Sequence, residues 1–248
     1  LMLNLVIDIG NTFTKVAVFE NDDLLKVEQY EQTGSQDIDS FLSIYKINRV
    51  ITSSVKTEKQ PWQTLLENKF QVIYFNSSIT AGINNHYKTP NTLGADRLAA
   101  VIGANYLYPG TNNIIISGGT CITYDFIDAG ANYFGGSISP GLNMRYRAVN
   151  HYTAALPLIE PDKNFNAAYG NDTASAIKSG VQNGVRYELE GFINEYIKTQ
   201  KGYNIILSGG DSIFFDTLLK NSIFAPYIKI EPYLVLKGLN AAIQKHND

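Results

Sequence analysis

Acidic, basic and hydroxyl side chains gather in one short segment near the start of the chain, Asp8–Lys15, which reads DIGNTFTK. Asp8 ends an apolar run, and Gly10 lets the backbone turn tightly. Backbone amides and the hydroxyls of Thr12 and Thr14 would then face a polyphosphate, and Asp8 would bind or orient hydrated Mg²⁺. The same residues also suit a hairpin turn capped by an aspartate. The segment is not a P-loop, because the G-x-x-x-x-G-K-[ST] pattern is absent.

A second segment, Ser117–Thr123 (SGGTCIT), repeats this kind of turn later in the chain. Gly118 and Gly119 permit close backbone approach, and Thr120 and Thr123 offer hydroxyls. Two such turns facing one another across a cleft would hold the phosphates of ATP. The alternative is a glycine-rich hairpin that serves packing alone.

Between these turns, Pro90–Arg97 (PNTLGADR) places a carboxylate and a cationic side chain at the expected start of a helix. Phosphoryl transfer to an alcohol needs a carboxylate that accepts the hydroxyl proton, and Asp96 beside Arg97 is a candidate. An acidic residue in a first helical turn is also ordinary, because the helix dipole favours it. His86 and Tyr87, just upstream, would line a pocket for a small substrate.

Three further segments have both a structural and a functional interpretation. Gly135–Gly141 (GGSISPG) predicts a tight turn, and Asn171–Thr173 predicts a helix N-cap, with Thr173 contacting a substrate as the alternative. Ser208–Asp211 suits either a turn at a strand end or a contact with adenine or ribose.

The elements that must position these residues follow the same plan twice. Strand, Gly/Thr turn, strand, turn and strand occupy residues 3–30, and the plan recurs from Asn113 to Ile138. Strands and helices alternate elsewhere, which predicts an α/β protein with two similar halves, at residues 1–110 and 111–248. The predicted helices are 37–46, 62–68, 95–108, 174–196 and 234–245, and the further predicted strands are 49–54, 71–75 and a third strand that ends at the Ser208–Asp211 turn.

Composition excludes several classes of function. The chain has 248 residues with a net charge of −3, so it has no basic footprint for nucleic acid. No apolar run is long enough for a membrane span, and no secretory signal is evident. The single cysteine, Cys121, cannot form an internal disulfide, which fits a cytoplasmic protein.

Taken in order, DIGNTFTK, GADR (Gly94–Arg97), the G-T-x-x-T turn, GGSISPG and Asn171–Gly180 resemble the motifs of type III pantothenate kinases. That family is related to the Bvg accessory factor. The resemblance runs from about residue 3 to residue 245, and its specificity comes from motif order and spacing. It implies the duplicated ribonuclease-H-like fold of actin and of acetate and sugar kinases. It also implies ATP-dependent phosphorylation of pantothenate to 4′-phosphopantothenate, the first step of coenzyme A synthesis, by a cytoplasmic homodimer with its pocket at the subunit interface.

The resemblance carries over residue by residue. Asp96 matches the proton acceptor, and the ATP-phosphate positions are Asp8, Ile9, Gly10, Asn11, Thr12, Phe13, Thr14, Lys15 and Thr120. The pantothenate positions are Tyr87, Gly94, Ala95, Asp96, Arg97 and Thr173.

Position 117 departs from the family pattern. The family has aspartate there as the ligand of a potassium or ammonium ion, whereas this chain has Ser117, a poorer cation ligand. Asp125, two residues past Thr123, is a candidate replacement. The departure favours a second hypothesis, a non-catalytic nucleotide-binding regulator on the same fold. A third is a kinase of this fold with another small-molecule substrate.

Overall fold

A computed structural model describes residues 2–56, 58–198 and 201–246. The polypeptide forms two compact units. The first unit holds the chain up to Pro109, together with Ala131–Phe134 and the segment from Tyr233 onward. The second unit holds Gly110–Gly130 and Gly135–Pro232.

Strands and helices alternate along the chain in this order: β1 (Leu3–Ile9), β2 (Thr14–Glu20), β3 (Asp23–Tyr30), α1 (Ser35–Ile44), β4 (Arg49–Ser54), α2 (Pro61–Lys69), β5 (Val72–Tyr74), β6 (Asn84–Asn85), α3 (Ala95–Leu107), β7 (Asn112–Gly118), β8 (Cys121–Ile127), β9 (Asn132–Pro140), α4 (Leu142–His151), α5 (Thr173–Lys178), α6 (Gly184–Ile197), β10 (Tyr203–Gly209), α7 (Ser212–Leu219), β11 (Ile228–Ile230) and α8 (Leu234–Lys245). Short 3₁₀ helices lie at Pro90–Thr92 and Ala225–Tyr227, and a π-helical turn lies at Ser179–Asn183.

The first unit is built on a five-stranded sheet with the order β3-β2-β1-β4-β5. β1 pairs antiparallel with β2 and parallel with β4, and β4 pairs parallel with β5. Because strand side chains alternate between faces, one face of β1 packs with α1 and α2 in a core that includes Ile7, Phe41 and Trp62. The opposite face of β1 and β4 contacts α8.

Helices α3 and α8 of the first unit pack at very close range through glycine. A Cβ atom on Gly238 would lie 1.8 Å from the carbonyl oxygen of Ala99, and one on Gly103 would lie 2.6 Å from that of Leu234. These two positions therefore require glycine for the close approach of the helix backbones. The contact fixes α3, whose first turn carries Asp96.

The second unit repeats the strand order of the first. Its sheet runs β11-β10-β7-β8-β9, with β7 antiparallel to β8 and parallel to β10, and β10 parallel to β11. β6 pairs parallel with Asn132 and Tyr133 at the start of β9, and all of these residues belong to the first unit. In both units the first strand has an antiparallel neighbour on one side and a parallel neighbour on the other, with one further strand beyond each. This recurring order is the one expected of a duplicated ribonuclease-H-like fold.

The duplication extends to a buried asparagine at the start of each central strand. Asn4 of β1 accepts a hydrogen bond from Arg49 Nε on the neighbouring β4 at 3.1 Å. Asn113 of β7 accepts one from Asn204 Nδ2 on the neighbouring β10 at 3.0 Å. Both asparagines are fully buried, and both donors are their register partners in the parallel strand pair.

Several sequence predictions are wrong in detail. The helix predicted over 174–196 is interrupted by the π-helical turn, and Gly135–Gly141 is not a tight turn but the end of β9 and the start of α4. A Cβ atom on Gly136 would lie 1.8 Å from the carbonyl oxygen of Tyr124, so the glycine serves close strand contact.

Among the described residues, no helix is long and apolar enough to cross a membrane.

Candidate active site

The first predicted phosphate turn connects β1 to β2. Gly10 N donates a hydrogen bond to the carbonyl oxygen of Phe13 at 2.9 Å, which closes the turn. Asn11, Thr12 and Phe13 project into solvent, whereas Ile9 and Thr14 are buried in the strands on either side. The turn therefore presents three exposed residues above a buried strand end.

Asp8 lies at the base of this turn, opposite Lys15 in the antiparallel register of β1 and β2. Burial raises the pKa of Asp8 from 3.8 to about 6. The positive charge of Lys15 works against this rise, and the negative charge of Asp96 adds to it. The Oδ1 atom of Asp8 has no hydrogen-bond partner among the described residues.

Asp96 occupies the first turn of α3, as the second residue after the N-cap residue Gly94. Its Oδ1 accepts a hydrogen bond from the backbone N–H of Arg97 at 2.9 Å, and its side chain is exposed. The negative charge of Asp96 contributes to the raised pKa of Asp8, so the two carboxylates, which belong to the same unit, lie within electrostatic range of each other. An exposed carboxylate that already accepts a backbone hydrogen bond keeps lone pairs that can accept a proton.

Arg97, in contrast, is buried, with 6% of its surface exposed. Its guanidinium carbon lies 5.7 Å from the centre of the Tyr87 ring, a cation–π geometry. Tyr87 in turn stacks on Tyr133 with a centroid distance of 6.4 Å. Gly94 and Ala95 line a cavity of about 440 Å³ together with Val55 of the β4–α2 connection. The predicted acceptor-binding residues of the first unit thus lie around the start of α3.

The second predicted phosphate turn connects β7 to β8. Gly119 N donates to the carbonyl oxygen of Cys121 at 3.0 Å, and Gly141 N at the start of α4 donates to that of Thr120 at 3.1 Å. A Cβ atom on Gly141 would lie 2.2 Å from the carbonyl oxygen of Gly119. The last residue of the GGSISPG segment therefore packs against the backbone of this turn. The Thr120 side chain is exposed.

Ser117 does not fit a monovalent-cation site of the kind that the resemblance implies. Its Oγ is buried without a hydrogen-bond partner among the described residues. Its register neighbours are Thr123 on β8 and Ser208 on β10, so three neutral hydroxyl side chains stand where a carboxylate is expected. The candidate replacement, Asp125, is buried and already engaged in an interaction.

A third turn ends β10 in the same unit. Gly209 has a φ of +79°, and a Cβ atom there would lie 2.2 Å from the carbonyl oxygen of Gly118. Glycine is therefore required both by the left-handed backbone and by contact with the second turn. Burial raises the pKa of Asp211, which follows as the N-cap of α7.

Thr173 lies at the first position of α5 and lines a cavity of about 610 Å³ in the second unit. The predicted N-cap is provided by Asp172, whose Oδ1 accepts a hydrogen bond from Ser175 N at 2.9 Å. The other lining residues are Arg145, Val149, Leu156, Ala176, Ile177, Gly180 and Val181. Gly180 and Val181 belong to the π-helical turn, an irregularity that often occurs at functional sites.

The one charged residue among those lining residues, Arg145, is held by an acid that the sequence analysis missed. Arg145 Nη2 lies 2.6 Å from Glu188 Oε2, and Glu188 Oε1 accepts hydrogen bonds from Tyr124 and Ser139. Burial alone would raise the pKa of Glu188, but the hydrogen bonds from Ser139, Arg145 and Tyr124 outweigh it and hold the pKa below its ordinary value. No local sequence signal links these residues, because 43 positions separate Arg145 from Glu188.

The structure thus brings Asp8, Lys15, Tyr87, Asp96 and Arg97 into the first unit, and Ser117, Thr120 and Thr173 into the second.

Comparison with known proteins defines the family. The sequence model of type III pantothenate kinase matches residues 4–195. The type III pantothenate kinase of Phocaeicola vulgatus is 41% identical over 247 residues, which cover 99% of both chains. At the level of structure, a protein from Campylobacter jejuni described as a Baf family transcriptional activator is 20% identical, covers 98% of each chain and has a TM-score of 0.65.

Acetate kinase from Porphyromonas gingivalis shows the same architecture at greater distance, with 10% identity, a TM-score of 0.54 and coverage of 100% of this chain and 99% of that one. The predicted duplicated ribonuclease-H-like fold is therefore confirmed. The family match extends over most of the sequence and includes both phosphate turns and the GADR segment. This chain belongs to the type III pantothenate kinase family.

Proposed function

We propose that this protein transfers the γ-phosphoryl group of ATP to pantothenate, giving 4′-phosphopantothenate in the first step of coenzyme A synthesis. Family membership supports the reaction. The observation that carries it in this chain is the buried Asp8 carboxylate at the base of an exposed turn, within the electrostatic range of Asp96 at the start of α3. The regulator hypothesis is not favoured, because the relative of highest similarity reported above is named as a kinase.

In the proposed reaction, Asp96 accepts the proton of the pantothenate hydroxyl as that oxygen attacks the γ-phosphorus. The bond from phosphorus to the bridging oxygen breaks at the same time, and ADP leaves with the electron pair. The Asp96 carboxylate suits this role because it is exposed to an incoming substrate and lies outside the core.

We assign the ATP phosphates to the residues from Asp8 to Lys15 and to Thr120. Asp8 fits a site for Mg²⁺, since its buried Oδ1 has no partner in the described part of the chain and oxygen atoms are the ligands that this ion prefers. Bound magnesium would neutralise negative charge on the phosphates. Lys15, opposite Asp8, supplies a fixed positive charge on the same side of the sheet.

We assign pantothenate to Tyr87, Gly94, Ala95, Asp96, Arg97 and Thr173. The buried Arg97 on the face of Tyr87 keeps both side chains in place beside the start of α3. A homodimer that completes the pocket, and a location in the cytoplasm, stay predictions of the family resemblance. We derive no step through a potassium or ammonium ion, because the hydroxyls around position 117 do not fit one.

The test is an assay of the purified full chain with ATP, Mg²⁺ and pantothenate, in which ADP release and 4′-phosphopantothenate are both measured. Asp96→Asn should lower kcat by about a hundredfold or more, the usual share of a general base. Asp39→Asn on the exposed side of α1 is the matched control and should retain normal turnover. Near-normal turnover of Asp96→Asn would contradict the assignment, and absence of product from the unaltered chain would contradict the function.

A further inference from the structure

Two buried polar atoms lie side by side at the carboxyl end of the first unit's central strands. Asp8 Oδ1 on β1 and Ser53 Oγ on β4 are both buried without a hydrogen-bond partner in the described part of the chain. Asp8 and Ser53 are register partners in the parallel pair of β1 and β4. Their side chains therefore leave the sheet on the same face.

Buried hydroxyls are almost always hydrogen-bonded in native proteins, so an unpaired one calls for an explanation. Ser53 is only 1% exposed and lies inside a regular strand. The next residue, Ser54, differs: its hydroxyl donates to the carbonyl oxygen of Lys56 at 2.9 Å and accepts from Lys56 N at 3.0 Å. A local partner thus satisfies Ser54, whereas Ser53 points to an external ligand.

The second unit repeats this arrangement at the equivalent place. Ser117 Oγ on β7 and Ser208 Oγ on β10 are also buried and have no hydrogen-bond partner among the residues that the structure describes, and these two residues are register partners. Of the eight buried side-chain atoms without a partner in the described ranges, four therefore belong to these two pairs. Each pair lies where a central strand enters a predicted phosphate turn, so the atoms without a described partner adjoin the two turns that the proposed function assigns to ATP.

The surroundings of Ser53 identify the kind of ligand. Asp8 is beside it, Lys15 lies opposite Asp8 on β2, and Asp96 acts on Asp8 electrostatically. A carboxylate next to a neutral hydroxyl suits a hydrated divalent cation, since Mg²⁺ keeps several of its waters in protein sites and those waters need acceptors. The serine oxygen can accept a hydrogen bond from such a water while its O–H donates to a neighbouring oxygen.

We propose that Ser53 is a positioning residue of the phosphoryl-transfer site. Its hydroxyl lies next to Asp8 and binds a water molecule of the hydrated divalent cation that accompanies ATP. This inference rests on the proposed function, because it takes ATP and its metal as the ligand. Ser53 acts through the metal's water, and it makes no contact with the transferred phosphorus. Loss of such an outer partner commonly weakens metal affinity by about 10–100-fold.

The test compares Ser53→Ala with the unaltered protein in the binding of Mn²⁺, a paramagnetic substitute for Mg²⁺. Free Mn²⁺ is measured by electron paramagnetic resonance in the presence of a saturating non-hydrolysable ATP analogue. We expect the Mn²⁺ dissociation constant of Ser53→Ala to rise about tenfold or more. Ser43→Ala, which removes an exposed hydroxyl of α1 that donates to the carbonyl oxygen of Ser40, should leave this dissociation constant unchanged.

Steady-state kinetics add a second readout that a merely structural change would not reproduce. For Ser53→Ala, the Mg²⁺ concentration for half-maximal rate should rise, while the KM for pantothenate stays the same. Ser53→Thr keeps the hydroxyl and should restore Mn²⁺ binding. Circular dichroism and thermal unfolding confirm that each variant is folded.

Two results would overturn the inference: Mn²⁺ affinity of Ser53→Ala equal to that of the unaltered protein, or an effect confined to the KM for pantothenate, which would place the hydroxyl on the acceptor. Failure of the proposed function looks different, since the unaltered protein would then bind nucleotide and Mn²⁺ without phosphorylating pantothenate.

Discussion

Replacing Asp8 by asparagine should make the ligand-free protein more stable while removing its kinase activity. The carboxylate is buried, its Oδ1 has no hydrogen-bond partner among the described residues, and burial raises its pKa from 3.8 to about 6. Relative to the unfolded chain, the folded protein therefore favours the neutral form of Asp8, and keeping the side chain ionised at neutral pH costs free energy. An amide of the same shape avoids this cost.

The magnitude follows from proton linkage. The difference between 3.8 and about 6, at about 1.36 kcal/mol for each pH unit, is about 3 kcal/mol for this buried group. Because the folded-state pKa is raised, the unfolding free energy of the unaltered protein falls as pH increases from about 4 to about 6 and is constant above that, as far as Asp8 is concerned. The advantage of Asp8→Asn should therefore be small near pH 4 and approach 3 kcal/mol above pH 6.

Urea unfolding of both proteins between pH 4.5 and pH 8, without nucleotide or metal, measures this difference. Titration of the other carboxylates is common to both proteins, so the difference between the two curves isolates Asp8. Asp39→Asn, at an exposed position of α1, should leave the curve of the unaltered protein unchanged within about 0.5 kcal/mol. A variant no more stable than the unaltered protein at pH 8, or an advantage independent of pH, would refute the reasoning.

Two other predictions test the cation site and the helix packing. Because the register neighbours of Ser117 carry neutral hydroxyls, turnover should be the same in potassium, ammonium and sodium chloride at equal ionic strength. The melting temperature of Ser117→Asp, in contrast, should rise with added potassium but not with added sodium. A strong potassium requirement of the unaltered enzyme would contradict this prediction. Gly238→Ala should lower the unfolding free energy by about 1–3 kcal/mol or more, because the new methyl group would lie 1.8 Å from the carbonyl oxygen of Ala99. Gly191→Ala in α6, where a Cβ meets nothing within 4 Å, should instead raise it by about 0.5–1 kcal/mol in the same urea titration; equal effects of the two substitutions would show that the helix contact is not tight.

Much of the fold could be predicted from local patterns. β4 has the predicted bounds Arg49–Ser54, and α8 has the predicted bounds Leu234–Lys245. β4 is a short run rich in β-branched residues, α8 has helical composition and spacing, and Gly10 marks the turn after Asp8. The duplication was visible for the same reason, because the apolar run and the Gly/Thr turn recur together.

The errors arise where tertiary contacts override a local signal. Gly135 and Gly136 suggest a turn by composition, yet both lie within β9, where Gly136 serves the close contact with the backbone of β8. The π-helical turn at Ser179–Asn183 does not disturb the helical pattern of the residues around it, so the sequence gives no warning of the interruption. α4 and α7 were not predicted, because each begins directly after a segment that the sequence analysis assigned to a turn. Their N-cap residues are Gly141, which ends the GGSISPG segment, and Asp211, which ends the Ser208–Asp211 segment.

The residues of the candidate site likewise fall into two groups, those that local sequence motifs identify and those that only the folded structure brings together. Asp8, Asp96 and Thr120 belong to short motifs, so the sequence alone marks them as candidates. Ser53 belongs to no such motif. It becomes a candidate only through the parallel register of β1 and β4, which sets it beside Asp8, 45 positions earlier in the sequence. The Arg145–Glu188 pair likewise forms only when α4 and α6 come together.

The buried asparagines Asn4 and Asn113 have a consequence at the opposite end of their strands. A shift of either parallel strand by two residues would keep the apolar faces inward, so hydrophobic burial alone does not prevent such misalignment. It would, however, separate Asn4 from Arg49, or Asn113 from Asn204, and leave a buried amide oxygen unsatisfied. Four residues further along, about 13 Å away, the same alignment sets Asp8 beside Ser53 and Ser117 beside Ser208. The register at the predicted phosphate turn of each sheet is therefore enforced by a buried asparagine at the opposite end of the central strand, once in each unit.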